Sequence, residues 1–234
     1  MSKVVILSGA GISAESGIST FRDSGGLWEK YKIEEICSAG CLDFNRDKVI
    51  EFYDKRREEL KNAKPNKAHK VIAELMIKYP KSIKNITQNV DDLFERAGCS
   101  DTLHLHGFLP NLRCSSCTYR KTIGYVKQDK DERCPKCNSL LRPDIVFFGE
   151  SAPKYTELYR EIDDCEFFVV IGTSGQVINT DFFINYKMKE RILNILEPSP
   201  VINDELYTKV LYKPATKAID EIASDVETFL ELTP

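Results

Sequence analysis

A short apolar run that ends in glycine, residues 4–7 followed by SGAGIS, constrains the fold of this chain more than any other feature. A β-branched run of this length next to glycines is typical of a central strand in a parallel sheet, which is buried on both faces. Residues 82–86, before TQNVDD, and residues 167–171, before GTSG, have the same form. Because ligands of parallel sheets bind at the carboxyl ends of the strands, we expect SGAG, TQNVD and GTSG to lie along one edge.

Helical patterns at residues 71–78 and 90–97 separate these strands, and the C-terminal AIDEIASDVETFLEL is amphipathic. Strands that alternate with helices predict crossover connections and an α/β fold with a parallel sheet. Two insertions depart from this alternation, and we predict that they form a smaller second domain. The insertions are a helical stretch, residues 30–79, and a cysteine-containing stretch, residues 113–139. The discontinuous sheet domain then comprises residues 1–29, 80–112 and 140–234.

The composition excludes several classes of protein. Of 234 residues, 42% are hydrophobic and 29% are charged, as in an ordinary globular protein. The 33 basic and 36 acidic side chains give a net charge of −3, so no global basic field favours direct binding of nucleic acid. No apolar run approaches the roughly 18 residues of a membrane span, and the run at residues 4–7 is too short for a signal-peptide core. We therefore expect a cytoplasmic protein without a membrane partner.

Four of the eight cysteines form two CxxC pairs separated by sixteen residues. This spacing is typical of a ribbon in which four thiolates complete a tetrahedron around zinc, and the alternative is chance clustering. A closed shell of four cysteines leaves zinc no open position, so we expect one structural zinc ion per chain. Its predicted ligands are Cys114, Cys117, Cys134 and Cys137. The remaining cysteines, by contrast, are predicted to be small buried hydrophobic residues.

The segment from Gly9 to Ala14 is a GxGxxA turn after a strand, which allows backbone amides to approach a diphosphate. The alternative is a tight turn that needs glycine for steric reasons alone. A Rossmann dehydrogenase has an acidic residue at the end of its second strand, about 20 residues further on. That region is GGLWEKYK, so the glycines favour a dinucleotide but not hydride transfer.

The chain has three histidines. His69 lies in a helical pattern, where packing or helix capping is the expected role. His104 and His106 flank Leu105, so in an extended segment both would point to the same side. Imidazole titrates near neutral pH, and either of these two is a candidate general base.

Together these motifs resemble the sirtuins, a family of NAD-dependent protein-lysine deacylases. GAGISAESGISTFR, TQNVD, LHG, the CxxC pairs, FFGE, GTSG and LNILEPS occur in the family's order between residues 9 and 199. The resemblance implies a Rossmann-like domain with an inserted zinc-ribbon and helical domain, and a cleft in which NAD meets acyl-lysine. It also implies that the partners are acylated-lysine proteins or peptides.

The resemblance further implies a reaction. The amide oxygen of acyl-lysine attacks the ribose carbon that bears nicotinamide, which depends on close positioning and on exclusion of water. His106, the histidine of LHG, matches the family's base and activates a ribose hydroxyl, with Asn89 and Asp91 as further catalytic residues. The acyl group leaves on ADP-ribose, so the enzyme is a transferase. Protein ADP-ribosylation and a non-catalytic, NAD-sensing zinc-ribbon module are the alternative functions.

The remaining site residues are also implied by the resemblance. Those matching the contacts of NAD, the co-substrate, are Gly9, Ala10, Gly11, Ser13, Phe21, Arg22, Trp28, Gln88, Asn89, Val90, Asp91, Gly172, Thr173, Ser174, Asn194, Ile195, Leu196 and Ala215. Those matching the contacts of acyl-lysine are Tyr53, Arg56, Phe148 and Gly149, with Phe148-Gly149 on a strand that pairs with the substrate backbone. The opposite wall of the peptide site begins at Gly175.

Arg56 lies in the middle of an apolar helical stripe, where a cation needs a partner. The residues alone favour snorkelling or pairing with Glu59. However, Tyr53-x-x-Arg56 resembles the pair with which the desuccinylase and demalonylase branch binds an acidic acyl chain. An arginine fork suits a carboxylate, and a tyrosine hydroxyl adds a second donor.

The chain departs from the family pattern in three places. Cys37 replaces a small alanine of the acyl pocket, so a long acidic chain has less room. Residues 176–180 differ from the usual sequence after GTSG, which changes the expected shape of that loop. Asp144 stands where the family often has histidine, and we expect it on the outer surface.

Overall fold

The computed structural model describes residues 2–20 and 31–232. Within these residues there are seven α-helices: α1 (Gly11–Ala14), α2 (Ile33–Ile36), α3 (Cys41–Asn62), α4 (Lys67–Lys78), α5 (Leu93–Ala97), α6 (Tyr155–Asp163) and α7 (Ala215–Leu232). Short 3-10 helices span Thr180–Phe183 and Asp204–Leu206. None of the helices in this part of the chain combines the length and apolarity needed to cross a membrane.

Six strands form one parallel sheet, in the order β3-β2-β1-β7-β8-β9. They are β1 (Val4–Ser8), β2 (Ile83–Thr87), β3 (Thr102–His104), β7 (Phe167–Ile171), β8 (Glu190–Ile195) and β9 (Lys209–Tyr212). Ser8, the last residue of β1, pairs with Thr87 on one side and with Ile171 on the other. SGAG, TQNVD and GTSG therefore leave the sheet side by side, and the predicted α/β class and shared edge are confirmed.

Both faces of this sheet are covered, which explains why its central strands are apolar throughout. Val4, Ile6 and Val169 pack against helices α4 and α7. Val5 and Leu7 pack against helix α6 on the other face. Helix α7 buries the predicted apolar face against the sheet. Helix α4, which the sequence assigned to the inserted domain, instead belongs to the core of the large sheet, so the helical insertion effectively ends before it.

A second, antiparallel sheet has the strand order β5-β4-β6, with β4 (Gly107–Cys114), β5 (Arg120–Thr122) and β6 (Leu141–Ile145). The cysteine turns lie at its end, where Leu112 and Leu141 pack against Cys114 and Cys134. The prediction for Asp144 was wrong. It is 7% exposed, and it accepts a hydrogen bond from Arg120 at 2.9 Å. An ion pair with Arg120 of β5, on the other side of β4, explains how this carboxylate is buried.

Helix α3 packs against strands β4 and β6 of the antiparallel sheet. Its predicted apolar stripe is buried, with Phe52 and Leu60 in one cluster with Ile145. Arg57, which the stripe did not predict to be buried, is 0% exposed. Its guanidinium donates to Asp54 at 2.6 Å and to the carbonyl of Leu109 at 3.4 Å. Because a buried cation is tolerated only when it is paired, this contact ties α3 to β4.

Gly172 begins the turn after β7 with a φ of +66°, and a Cβ there would lie 2.5 Å from the backbone nitrogen of Ile12. We expect Gly172→Ala to lower the free energy of unfolding by about 3 kcal/mol or more, because left-handed strain is added to a backbone clash. Gly124→Ala is the matched control, since its φ is +61° but no described heavy atom lies within 4 Å of the new Cβ. The control should lose only about 1 to 2 kcal/mol. Chemical denaturation measures both losses. Equal losses would contradict the close packing of the turn after β7 against the segment after β1.

Candidate active site

A cavity of about 260 Å³ lies where the segments after β1 and β2 face helix α3 and the segment after β6. Its walls are mostly apolar with a few convergent polar groups, as in small-molecule sites. The residues predicted for the nicotinamide side of NAD and those predicted for the acyl chain line this one cavity. These are Ala10, Ser13, Tyr53, Arg56, Gln88, Asn89, Val90, Asp91, His106, Phe148 and Gly149.

His106 lies on the wall of this cavity, in the turn between β3 and β4. Its Nδ1 is 3.0 Å from the carbonyl oxygen of Gln88, and its Nε2 is 3.0 Å from the hydroxyl of Tyr155. Burial lowers the pKa of His106, and the hydrogen bond to Gln88 partly offsets this. The imidazole is therefore neutral near pH 7, as a general base must be. The sequence did not identify Tyr155, because its contact depends on how helix α6 approaches β4 in space.

His104 has a different environment, although the sequence predicted that both imidazoles point to the same side. The extended segment ends at His104, and Leu105 and His106 form a turn. The Nδ1 of His104 bonds the carbonyl of Asn89 at 2.8 Å, and its Nε2 bonds Glu95 at 2.9 Å. His104 is not among the residues that line the cavity, whereas His106 is, and this difference supports His106 as the candidate base.

A buried polar cluster surrounds Ser13 on the floor of the cavity. The Ser13 hydroxyl donates to Asp91 at 2.9 Å and accepts from the side-chain amide of Asn89 at 3.1 Å. Burial raises the pKa of Asp91, while hydrogen bonds from the Leu93 amide and from Ser13 oppose this. The cluster fixes the orientation of the amide and carboxylate before any ligand arrives.

His69 supports this cluster from helix α4. Its Nδ1 accepts from the backbone amide of Asn66 in a capping box, as predicted for a capping histidine. Its Nε2 lies 3.4 Å from the Ser13 hydroxyl. Burial lowers the pKa of His69 to about 4, so this ring is neutral at neutral pH.

The glycines after β1 are required by packing. The amides of Gly9 and Gly11 donate to the carbonyls of Ile171 and Gly172, at 2.9 and 2.8 Å. A Cβ at Gly9 or Gly11 would lie 2.7 or 2.8 Å from the turn after β7. The steric interpretation therefore explains both glycines, and their amides are already engaged.

The remaining predicted NAD residues lie away from the cavity. Thr173 accepts from the side chain of Gln88 at 3.1 Å and so links the GTSG and TQNVD segments. The side chain of Asn194 donates to the carbonyls of Leu211 and Lys213, both at 2.8 Å. Ser174 is exposed, Leu196 is 64% exposed, and Ile195 and Ala215 belong to the core. Phe21, Arg22 and Trp28 lie outside the described residues.

The predicted acyl-lysine pocket is an apolar part of the cavity with two polar side chains. The Tyr53 ring stacks on Phe147 with a centroid separation of 5.9 Å, and its hydroxyl donates to the Sγ of Cys37 at 3.4 Å. The Arg56 side chain is 10% exposed and donates to Glu59 at 2.7 Å. The pairing with Glu59 is thus present, and Arg56 also lines the cavity.

The strand predicted to pair with a substrate is held by helix α2 and its following turn. The Phe148 amide donates to the carbonyl of Cys37, and its carbonyl accepts from the Ala39 amide, both at 2.8 Å. Pairing with a substrate backbone at this wall would therefore have to begin at Gly149. Val177 lines the opposite side of the cavity.

Glu150 connects this wall to the antiparallel sheet. Its carboxylate accepts from Arg113 at 2.9 Å, from the Phe147 amide at 3.0 Å and from Arg142. The Arg142 guanidinium lies 4.0 Å from the centre of the Phe147 ring. Hydrogen bonds from Arg142 and Phe147 lower the pKa of Glu150 against its burial. The network holds the aromatic wall of the acyl pocket in place.

The four CxxC cysteines converge as predicted. Their sulfur atoms all lie within 4.8 Å of one another, with separations of 3.4 Å between Cys114 and Cys137 and 3.6 Å between Cys117 and Cys134. Zinc–sulfur bonds of about 2.3 Å require sulfur separations of about 3.8 Å in a tetrahedron. The donor set and its size therefore fit a structural zinc ion.

Comparison with known proteins identifies the family. The sequence profile of the Sir2 family matches residues 9–179. The chain belongs to the Sir2 family. A Sir2 homologue solved as an NAD complex superposes with a TM-score of 0.84 at 35% identity, covering 97% of this chain and 90% of that chain.

Named relatives extend over nearly the whole chain. The NAD-dependent protein deacylase of Campylobacter jejuni is 49% identical over 99% of this chain and 98% of its own length. That of Helicobacter hepaticus is 40% identical over 98% and 99%. A Sir2 protein solved with a deacetylated p53 peptide and 3'-O-acetyl-ADP-ribose has a TM-score of 0.76 at 29% identity, with coverages of 95% and 92%.

We expect the purified protein to contain one zinc ion per chain and Cys134→Ser to lose it, because the fourth thiolate closes the tetrahedron. Loss of the metal should unfold the antiparallel sheet, since structural zinc contributes folding free energy directly. Elemental analysis and amide hydrogen exchange over residues 107–145 measure the two effects. Cys165→Ser, at a buried cysteine remote from the cluster, is the control and should keep its zinc. A variant that lacks zinc but retains full protection would contradict the structural role.

Proposed function

We propose that the protein is an NAD-dependent protein-lysine deacylase that transfers the acyl group to ADP-ribose and favours succinyl and malonyl chains. One observation carries the proposal: the neutral imidazole of His106, the Ser13 cluster and the Tyr53–Arg56 pair line a single cavity. The names of the Campylobacter and Helicobacter relatives support the deacylase activity. NAD and an acylated lysine are then the two substrates.

In this proposal each group has a defined task. Asn89 and Asp91, held by Ser13, hydrogen-bond the carboxamide and ribose of NAD, and the apolar wall excludes water from the reacting carbon. The amide oxygen of acyl-lysine forms a bond to that carbon as nicotinamide leaves. His106 Nε2 then takes a proton from a ribose hydroxyl, which attacks the acyl carbon, and the amine of free lysine departs. A water molecule then adds to the acyl carbon, and the bond from this carbon to the oxygen on the reacting ribose carbon breaks, which leaves the acyl group as an ester on ADP-ribose. Positioning contributes most, because an amide oxygen is a weak nucleophile.

The preference for acidic chains rests on the two polar groups of an otherwise apolar pocket. Arg56 uses one nitrogen for Glu59, which leaves further guanidinium N–H groups for a substrate carboxylate. Tyr53 donates to a thiol, which is a weak acceptor that a carboxylate readily replaces. Both donors lie on one face of α3, so a carboxylate at the end of an acyl chain can accept from both.

We expect Arg56→Met to lower kcat/KM for a succinyl-lysine peptide relative to an acetyl-lysine peptide. The loss should correspond to about 2 to 4 kcal/mol of transition-state binding free energy, because a charged hydrogen bond in a desolvated site is lost. Steady-state kinetics with both peptides at equal NAD measure the ratio. Lys55→Met removes a neighbouring charge that pairs with Glu51 on the exposed side, and should leave the ratio unchanged. An unaltered ratio in Arg56→Met would exclude the carboxylate role.

The pH dependence should reflect the buried His106. Because its pKa is below the ordinary value of about 6.5, the base stays neutral as the pH falls through 7. We expect kcat/KM to stay constant down to about pH 6.5 and to decline only below it, as the imidazole is protonated. A profile of kcat/KM between pH 5 and 9 measures this. A decline that begins above pH 7 would be inconsistent with His106 as the base.

A further inference from the structure

Tyr155 is the one residue whose side chain contacts the cavity-facing nitrogen of His106 in the described part of the chain. It is the first residue of helix α6, and Leu158 and Ile162 anchor that helix against the large sheet. The Tyr155 side chain lines the cavity, and its hydroxyl oxygen is 3.0 Å from Nε2 of His106. The contact thus joins two elements that are far apart in sequence.

The direction of this hydrogen bond follows from the other side of the ring. Nδ1 of His106 lies 3.0 Å from the carbonyl oxygen of Gln88, which can only accept, so Nδ1 carries the proton. In a neutral imidazole Nε2 then has a lone pair and no hydrogen. The Tyr155 hydroxyl must therefore donate to Nε2. That lone pair is the one that a general base uses to take a proton.

We propose that Tyr155 is a positioning residue that occupies, in the ligand-free protein, the Nε2 acceptor site that the ribose hydroxyl of NAD takes during reaction. The inference rests on the proposed role of His106 as the base. Nε2 has a single in-plane lone pair, so the ribose hydroxyl has to replace the tyrosine hydroxyl. Binding of the co-substrate then exchanges one donor for another, and the base is never exposed without a partner.

The surroundings of the pair are consistent with this role. Burial raises the pKa of Tyr155 to about 12, so its hydroxyl remains a donor at neutral pH. The ionisable groups that line the same cavity are Cys37, Tyr53, Arg56, Asp91 and Glu150. Behind Tyr155 lies the ring of Tyr159, with a centroid separation of 6.5 Å, and His104 bonds Asn89 and Glu95 instead.

Tyr155→Phe tests the inference, because it keeps the ring and removes only the donor. A donor to Nε2 stabilises the neutral imidazole, so its loss should raise the pKa of His106 by about 0.5 to 1 unit. NMR titration of the ligand-free protein measures this without turnover. The acid limb of the pH profile of kcat/KM should shift to higher pH by the same amount. Affinity for ADP-ribose, measured at pH 8, should rise about threefold, because no hydroxyl has to be displaced.

Tyr159→Phe is the matched control, since its ring lies beside Tyr155 without contacting His106, and it should change none of the three quantities. Thermal unfolding of both variants is measured as well, to check that neither substitution has destabilised the fold. An unchanged pKa of His106 in an active Tyr155→Phe protein, or weaker binding of ADP-ribose, would overturn the inference and leave the deacylase proposal intact. Failure of the deacylase proposal, in contrast, would appear as absent turnover with the titration shift still present.

Discussion

The site depends on three parallel strands that end in register. Ser8 pairs with both Thr87 and Ile171, and its hydroxyl donates to that of Thr87 at 3.0 Å. Three polar segments consequently start at one level and contact one another, as the bond between Gln88 and Thr173 illustrates. If the pairing register of one strand shifted by one residue, each of its side chains would point to the opposite face of the sheet, and the cavity would be lost. The turns after β1 and β7 also approach each other closely, and this approach requires glycine because a Cβ at Gly9 or Gly11 would clash with the turn after β7.

The opposite wall of the cavity is held by paired charges in addition to a buried apolar cluster. Arg57 ties helix α3 to β4, and Glu150 ties the segment after β6 to two arginines of the antiparallel sheet. Such buried pairs contribute little net stability but are damaging when broken, so they define one geometry of the acyl pocket. The cysteine cluster lies at the far end of the same sheet. Metal binding there can influence the pocket through this chain of contacts.

Periodicity and motif spacing predicted the parallel sheet, the shared edge, the C-terminal helix and the cysteine cluster, because these features repeat locally along the sequence. The environments of His104 and His106 were not predictable, since the extended segment ends at His104 and His106 lies in the turn that follows. Neither Tyr155 nor the burial of Asp144 had a local signal, as both depend on partners in other elements. The glycine turn was ambiguous, and packing against Gly172 explains it without a ligand.

The most direct test of the central claim is the fate of the acyl group when succinyl-lysine peptide and NAD are given to wild-type protein and to His106→Ala. We expect the wild type to form equal amounts of free lysine peptide and acyl-ADP-ribose, and the variant to form both about a hundredfold or more slowly, because a base in this position contributes that much. Acyl-ADP-ribose formation by the variant at the wild-type rate would contradict the account. So would wild-type protein that leaves the ADP-ribose label attached to the peptide.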